Sequence, residues 1–315
     1  MAQQDSVLPS APQAAAPTRP QHRRPFFSSD NPWFWLAPGL ALLILFSIGP
    51  LLYNLVASFH EWDIMNRVFE PVGFENWENL LTNADGRIYN ALAVTFQYSV
   101  IALITQFLLG LGIALLLDEE PWGSGLFSTL LILPIVVAPA IAGMIFRLLE
   151  HSDFGAISWF LYQTGLLSPE EPLLGGTGRF ALVGLLIVDI WQWTPFFVLI
   201  LLAGLKGIPH DVLEASSVDG ANWFQQFFRI RFPLLRGVLA VAVLFRLIDL
   251  FRVFDYVVIM TSGGPGGRTE TLSFLGYVNT FTTLEWGYGA ALSLFIVILA
   301  WVSAYVYQRI FNVRW

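Results

Sequence analysis

Four charged residues stand where charge is costly: Asp189, Arg246, Asp249 and Arg252 each fall inside a stretch otherwise dominated by Leu, Val, Ile, Phe and Trp. Residues 246, 249 and 252 are spaced i, i+3 and i+6, so a helix places them on one face. Asp249 can then pair with either arginine. Asp189, Gln192, Trp193 and Phe196 recur at i, i+3, i+4 and i+7 and share a face of a second helix. Carboxylate acceptors, guanidinium donors and aromatic rings are the groups that hold a polyhydroxylated solute such as a sugar. The same charges can equally form an internal ion-pair network that ties two helices together, since paired burial is how charge is tolerated in hydrocarbon. The two readings are compatible, because an ion pair can line a cavity.

Other chemistry finds little support. Cysteine is absent from the 315 residues, which removes disulfides, thiolate metal sites and cysteine nucleophiles. Lys206 is the single lysine and is followed by Gly207, so no phosphate-binding Gly-Lys-Ser/Thr loop exists. The run Gly263-Gly264-Pro265-Gly266-Gly267 lacks that element too and reads as a flexible turn. His22, His60, His151 and His210 are scattered and form no metal-ligand pattern. No basic patch offers a nucleic acid a footprint.

The elements that position the charges follow from composition. Hydrophobic residues make up 56% and charged residues 12%, half the charge of an average soluble domain, about 25%. Mean hydropathy is +0.63. The fold class expected is an all-α membrane protein. Six stretches reach the roughly 20 apolar residues that a spanning helix needs: Trp33–Phe59, Leu92–Leu117, Leu126–Leu149, Phe180–Leu205, Val238–Met260 and Tyr288–Ile310. Phe154–Leu167 is apolar but short and reads as an interfacial or loop helix. Residues 1–31, rich in Ala, Pro, Gln and Ser, read as a disordered cytoplasmic tail before a transmembrane domain at 32–315. With the N-terminus inside, nine basic loop residues fall on the cytoplasmic side and four outside, which favours N-in and C-in. The acidic run Asp118-Glu119-Glu120 runs against this bias, although acids count little in the rule.

The segment between the fourth and fifth spans, residues 207–235, is patterned rather than loose. Pro209 suits a first helical turn, Asp219-Gly220 is a turn signal, and Trp223, Phe224, Phe227 and Phe228 mark a second amphipathic helix that Pro233 would end. An interfacial hairpin lying on lipid and a docking element for a cytoplasmic partner both fit this pattern.

Glu214-Ala215-Ser216-Ser217-Val218-Asp219-Gly220-Ala221, followed by Phe228-Arg229-Ile230 and Phe232-Pro233-Leu234, resembles the "EAA" signature of permease subunits of binding-protein-dependent ABC importers. Ser216 stands for the second alanine and Phe232 for a leucine. Phe251-Arg252-Val253-Phe254-Asp255, Met260-Thr261-Ser262-Gly263-Gly264-Pro265-Gly266 and Trp191-Gln192-Trp193-Thr194-Pro195-Phe196 are similar to the carbohydrate branch, nearest the first permease of maltose- and trehalose-type systems. The likeness covers about residues 33–315.

The resemblance implies a type I ABC importer permease fold with six transmembrane helices in the bacterial or archaeal cytoplasmic (inner) membrane. It implies a heterodimer with a second permease subunit, an ATP-binding cassette ATPase dimer below and an extracytoplasmic solute-binding protein above. ATP and magnesium would sit on the ATPase; this chain would hold no cofactor or metal and would catalyse nothing. Glu214, Ala215, Asp219, Gly220 and Ala221 would form the ATPase-coupling region. Asp189, Gln192, Trp193, Phe196, Arg246, Asp249 and Leu250 match positions around the membrane sugar site, and Arg252 is placed with them on the solute path. Most of these residue types differ from the family's, which implies a different solute. The alternatives are an ion-coupled secondary transporter with Asp189 and Asp249 as proton carriers, and an ABC permease for a non-sugar solute.

Overall fold

The computed structural model describes residues 32–63, 68–84 and 86–311. The expected tail at 1–31 lies outside the described residues, as do Arg67 and Arg314 of the loop-charge comparison. The chain divides into two units, one ending at Leu52 and one beginning at Tyr53. Helix α1 (Trp35–Ala57) supplies the described spanning segment of the first unit and opens the second. A short antiparallel hairpin follows, β1 (His60–Asp63) and β2 (Val68–Pro71), with Trp62 opposite Phe69. After α2 (Glu75–Leu81) come the long α3 (Ile88–Asp118), α4 (Ser124–Val136), α5 (Pro139–Leu149), α6 (Ala156–Gln163) and α7 (Ala181–Lys206). The chain closes through α8 (His210–Val218), α9 (Trp223–Gln226), α10 (Phe232–Leu250), α11 (Leu272–Tyr277) and α12 (Trp286–Phe311).

Four of these, α1, α3, α7 and α12, are long and apolar enough to cross a membrane, and α4 with α5 makes a fifth if the pair counts as one span. The expected third span is therefore broken: α4 and α5 meet at 99°. Val137 and Ala138 are extended at the break and Pro139 opens α5. Proline removes a helix donor and biases the residue before it away from helix, which accounts for the break. Pro134 and Pro195 stay within α4 and α7. The expected fifth span also differs. Its helix starts earlier and stops at Leu250, within the charged run 246–252, and the chain resumes as a wide turn at Val257–Thr261. The short helix expected within Phe154–Leu167 is present as α6.

The second unit is organised by α3 and α7, which pack along each other. A Cβ placed on Gly110 would lie 2.4 Å from Cβ of Phe197, so only glycine lets the two backbones approach this closely. The apolar interior falls into patches strung along these helices. One joins Tyr98 and Ala102 of α3 to Leu185 and Val188 of α7, Leu250, and Tyr256 to Met260 beyond it. Another joins Ala114 and Leu117 to Phe197, Leu201 and Leu205, with Leu235 and Ala242 of α10. Between the two, at matching depth on all three helices, the sequence places Gln106, Asp189 and Arg246.

One buried carboxyl stands apart. Glu150 follows the last residue of α5, lies against Gly184 of α7, and has no hydrogen-bond partner for either oxygen among the described residues. Its burial is complete, and burial without a partner pushes its carboxyl up to about 9.

Two outcomes are expected. Gly110→Leu wedges α3 from α7 and costs roughly 1–3 kcal/mol, whereas Gly112→Leu, with nothing within 4 Å of its Cβ, leaves the melting temperature in detergent near wild type. For Glu150 the sign follows from proton counting. The folded chain keeps a proton that the unfolded chain releases above its ordinary value of 4.5, so stability falls as pH rises from there towards 9 and then levels. Thermal melts at several pH values should show that decline flattened in Glu150→Gln; an unchanged pH profile would count against the assignment.

Candidate functional site

Three helices contribute to one polar cluster. Arg246 of α10, 1% exposed, uses its guanidinium in three directions. Its Nε donates to Oε1 of Gln106 at 2.9 Å, its Nη2 to Oδ1 of Asp189 at 2.5 Å, and its Nη1 to Oδ2 of Asp249. Gln106 completes the ring: its Nε2 donates to Oδ2 of Asp189 at 3.0 Å and to the Asp189 carbonyl at 3.2 Å. The guanidinium carbon also stands 4.5 Å from the ring centroid of Trp193, a cation–π contact. Asp189 is thus a buried carboxylate satisfied on both oxygens, as a buried charge must be.

The cluster is closed on one side and open on the other. Asp249 remains part-exposed and pairs more loosely with Arg252 at 3.6 Å, whose side chain is 67% exposed. Asp189, Trp193, Arg246, Asp249, Leu250 and Arg252 line one cleft of about 70 Å³, with Pro139 and the segment after α10 on its far side. Six of the eight residues expected on the solute path therefore come together. Gln192 lies beside them: its Nε2 donates to the Val137 carbonyl at 2.5 Å and its Oε1 accepts from the Tyr256 hydroxyl at 2.5 Å. It so ties α7 to the break between α4 and α5. Phe196 does not line the cleft; its ring packs on Phe245 of α10 at 5.4 Å. Sequence reasoning missed Gln106 and Tyr256. A lone glutamine in the middle of a 31-residue apolar helix was the available signal for the first.

The ion-pair expectation and the pocket expectation are thus drawn from the same atoms. The network joins the helices at Asp189 and Arg246, and Asp249 and Arg252 carry its polarity to the open side.

At the end of the bundle where α3 and α7 both terminate lies the patterned segment 207–235. Helix α8 follows Pro209, which is extended and sits just before the helix rather than in its first turn. Gly220 makes the turn with φ +78°, a conformation that costs an L-residue about 1–2 kcal/mol. Asn222 and Gln225 then form a capping box at the start of α9. Gln226 Nε2 donates to Ser217 Oγ at 2.9 Å, binding the second helix to the first. Pro233 does not end this helix. The chain passes through a wide turn at Phe227–Arg231 directly into α10, and Pro233 sits just after that turn, whose widened backbone accommodates the ring and the missing N–H. Glu214, Ala215, Asp219 and Gly220 are exposed on this knob, Ala221 is half-buried, and Val218 is 88% exposed.

The second unit thus holds a bundle of apolar helices with a buried ion-pair cluster between two apolar patches and a helix–turn–helix knob at one end. Residues 106–314 match the family described as binding-protein-dependent transport system inner membrane component. The chain is 33% identical over 310 residues to a probable ABC transporter permease, y4oQ, of Sinorhizobium fredii, covering 98% of this chain and 97% of that one. It is 33% identical over 283 residues to the trehalose/maltose transport system permease protein MalF of Thermococcus litoralis, covering 90% and 94%. Its fold superimposes, with a TM-score of 0.75 and 19% identity, on a chain from a bacterial alginate ABC transporter in complex with alginate pentasaccharide-bound periplasmic protein, covering 89% and 95%. The chain belongs to the family of inner-membrane permease components of binding-protein-dependent ABC importers. As the permease component it is not itself the ATPase.

Removing one partner of a buried pair costs more than removing both, because a charge is left behind. Arg246→Met should lower the stability of the detergent-solubilised protein by roughly 3–5 kcal/mol. The double variant Asp189→Leu/Arg246→Met should melt closer to wild type than Arg246→Met alone; a double variant less stable than the single would refute the pairing.

Proposed function

We propose that this chain is a sugar-importing permease subunit and that the cleft at Asp189, Trp193, Arg246, Asp249, Leu250 and Arg252 lies on the solute path. The observation that carries the reading is the open side of the charge cluster: carboxylate, guanidinium and indole face one space, the set that hydroxyls and the apolar face of a sugar ring require. The trehalose/maltose permease among its relatives supports the same solute class. Gln192 positions the break between α4 and α5, and Phe196 stiffens the contact with α10, one step behind the wall.

A cleft of about 70 Å³ is small beside ligand pockets of about 300–1,000 Å³. In this reading the chain supplies one wall and a second permease subunit the other. The chain crosses the membrane six times with both termini cytoplasmic, α10 with the following segment making the fifth crossing. An extracytoplasmic binding protein delivers solute to the end opposite the knob. The knob, with Glu214, Ala215, Asp219, Gly220 and Ala221 at its tip, seats in the ATPase subunit, where ATP and magnesium bind. Closure of the ATPase pair then tilts α7 and α10 together and opens the cleft to one side or the other.

Labelled trehalose uptake by cells expressing the whole system tests this. Wild type should accumulate label and maintain it under an uncoupler while ATP is held constant. Gly220→Pro should abolish accumulation with unchanged membrane insertion. Normal uptake in that variant would sink the coupling role, collapse under the uncoupler would favour ion coupling, and displacement of label by no sugar in a panel would remove the solute class.

A further inference from the structure

The acidic run Asp118-Glu119-Glu120 sits where acids are unfavourable. It begins at the last residue of α3, and the carbonyl end of a helix repels negative charge. Glu120 is also held at φ +49°, the left-handed region that side chains avoid. Each acid is met by a base from elsewhere in the chain. Oδ2 of Asp118 accepts from Nη1 of Arg231 at 3.0 Å, and Oε1 of Glu120 accepts from Nζ of Lys206 at 2.8 Å. The Lys206 ammonium holds the Glu120 carboxyl below the usual carboxylate range.

The positions of the two bases give the pairs their meaning. Lys206 is the last residue of α7, immediately before the knob; Arg231 closes the wide turn immediately after it. One short acidic run therefore grips both ends of the knob. We infer that Asp118 and Glu120 form a clasp that fixes the pose of the knob against α3, with Asp118 and Arg231 as its principal positioning residues. The Glu120–Lys206 pair is exposed on both sides and contributes little on its own. The Asp118–Arg231 pair is shielded, its side chains 15% and 16% exposed, and is screened far less by salt. Through Gly110, α3 is already locked to α7, so the shielded pair links that unit to the foot of α10. Any tilt of α10 against α7 must carry this bond along or break it.

The clasp rests on the coupling reading of the knob, and the test separates the two. The importer is purified with its partner subunits, and MgATP hydrolysis per complex is measured for Asp118→Arg, Arg231→Asp, the two combined, and Gly220→Pro. Each single reversal sets like charges against each other and should lower hydrolysis about tenfold, equivalent to about 1.4 kcal/mol. The combined swap should return it to within about twofold of wild type, with every variant still folded at the assay temperature by circular dichroism. Single reversals that hydrolyse normally, or a swap no better than the singles, would overturn the clasp. If Gly220→Pro is impaired while both reversals are normal, the clasp alone fails. If Gly220→Pro is normal, the coupling reading fails and takes the clasp with it.

Discussion

Three long helices of the second unit, α3, α7 and α10, meet around one buried guanidinium. Arg246 must be neutralised because hydrocarbon does not solvate charge, and its donors point to two different helices besides its own. That requirement sets the depth and the rotation of α3, α7 and α10 together. A shift of one residue in any of them would turn Gln106, Asp189 or Arg246 about 100° away from its partners. Apolar contact alone lacks this power in a membrane, where lipid competes for the same surfaces. The patches above and below the cluster fill volume; the cluster selects register.

A rigid centre is useful only if the rest can move about it. The structure concentrates its irregularities around the three-helix unit rather than inside it. The helix pair α4–α5 is broken at Val137 and Ala138, and wide turns interrupt the chain before α10 and again at Val257–Thr261. Gln192 reaches from the rigid unit to the first of these irregularities and meets Tyr256, just ahead of the last, through the same amide. The knob joins the second directly, without an intervening loop, because Pro233 begins a helix instead of ending one.

Much of this was legible in the residues. The charges at 189, 246 and 249 announced a buried cluster because their surroundings left no other way to accommodate them. The Asp219-Gly220 turn was equally plain, since few residues tolerate the left-handed conformation. The misreadings share one cause: proline and charge were judged by neighbours in sequence. Pro233 ends or begins a helix depending on whether the preceding turn is wide, which no local pattern shows. The acidic run after α3 finds its partners, Lys206 and Arg231, 86 and 113 positions further along the chain, beyond the reach of any local pattern. Gln106 was passed over because an amide carries no charge, although in hydrocarbon its unpaired dipole would be costly too.

The makeup of the central cluster has an electrical consequence. Asp189 and Asp249 carry two negative charges in their ion-paired form, Arg246 and Arg252 two positive, and Gln106 none. Their sum is zero. A unit charge moved through the full field across a membrane exchanges about 2.3 kcal/mol per 100 mV. A neutral quartet that shifts as one body exchanges almost nothing. A tilt of these helices of the kind proposed above would therefore carry no net charge from this cluster through that field.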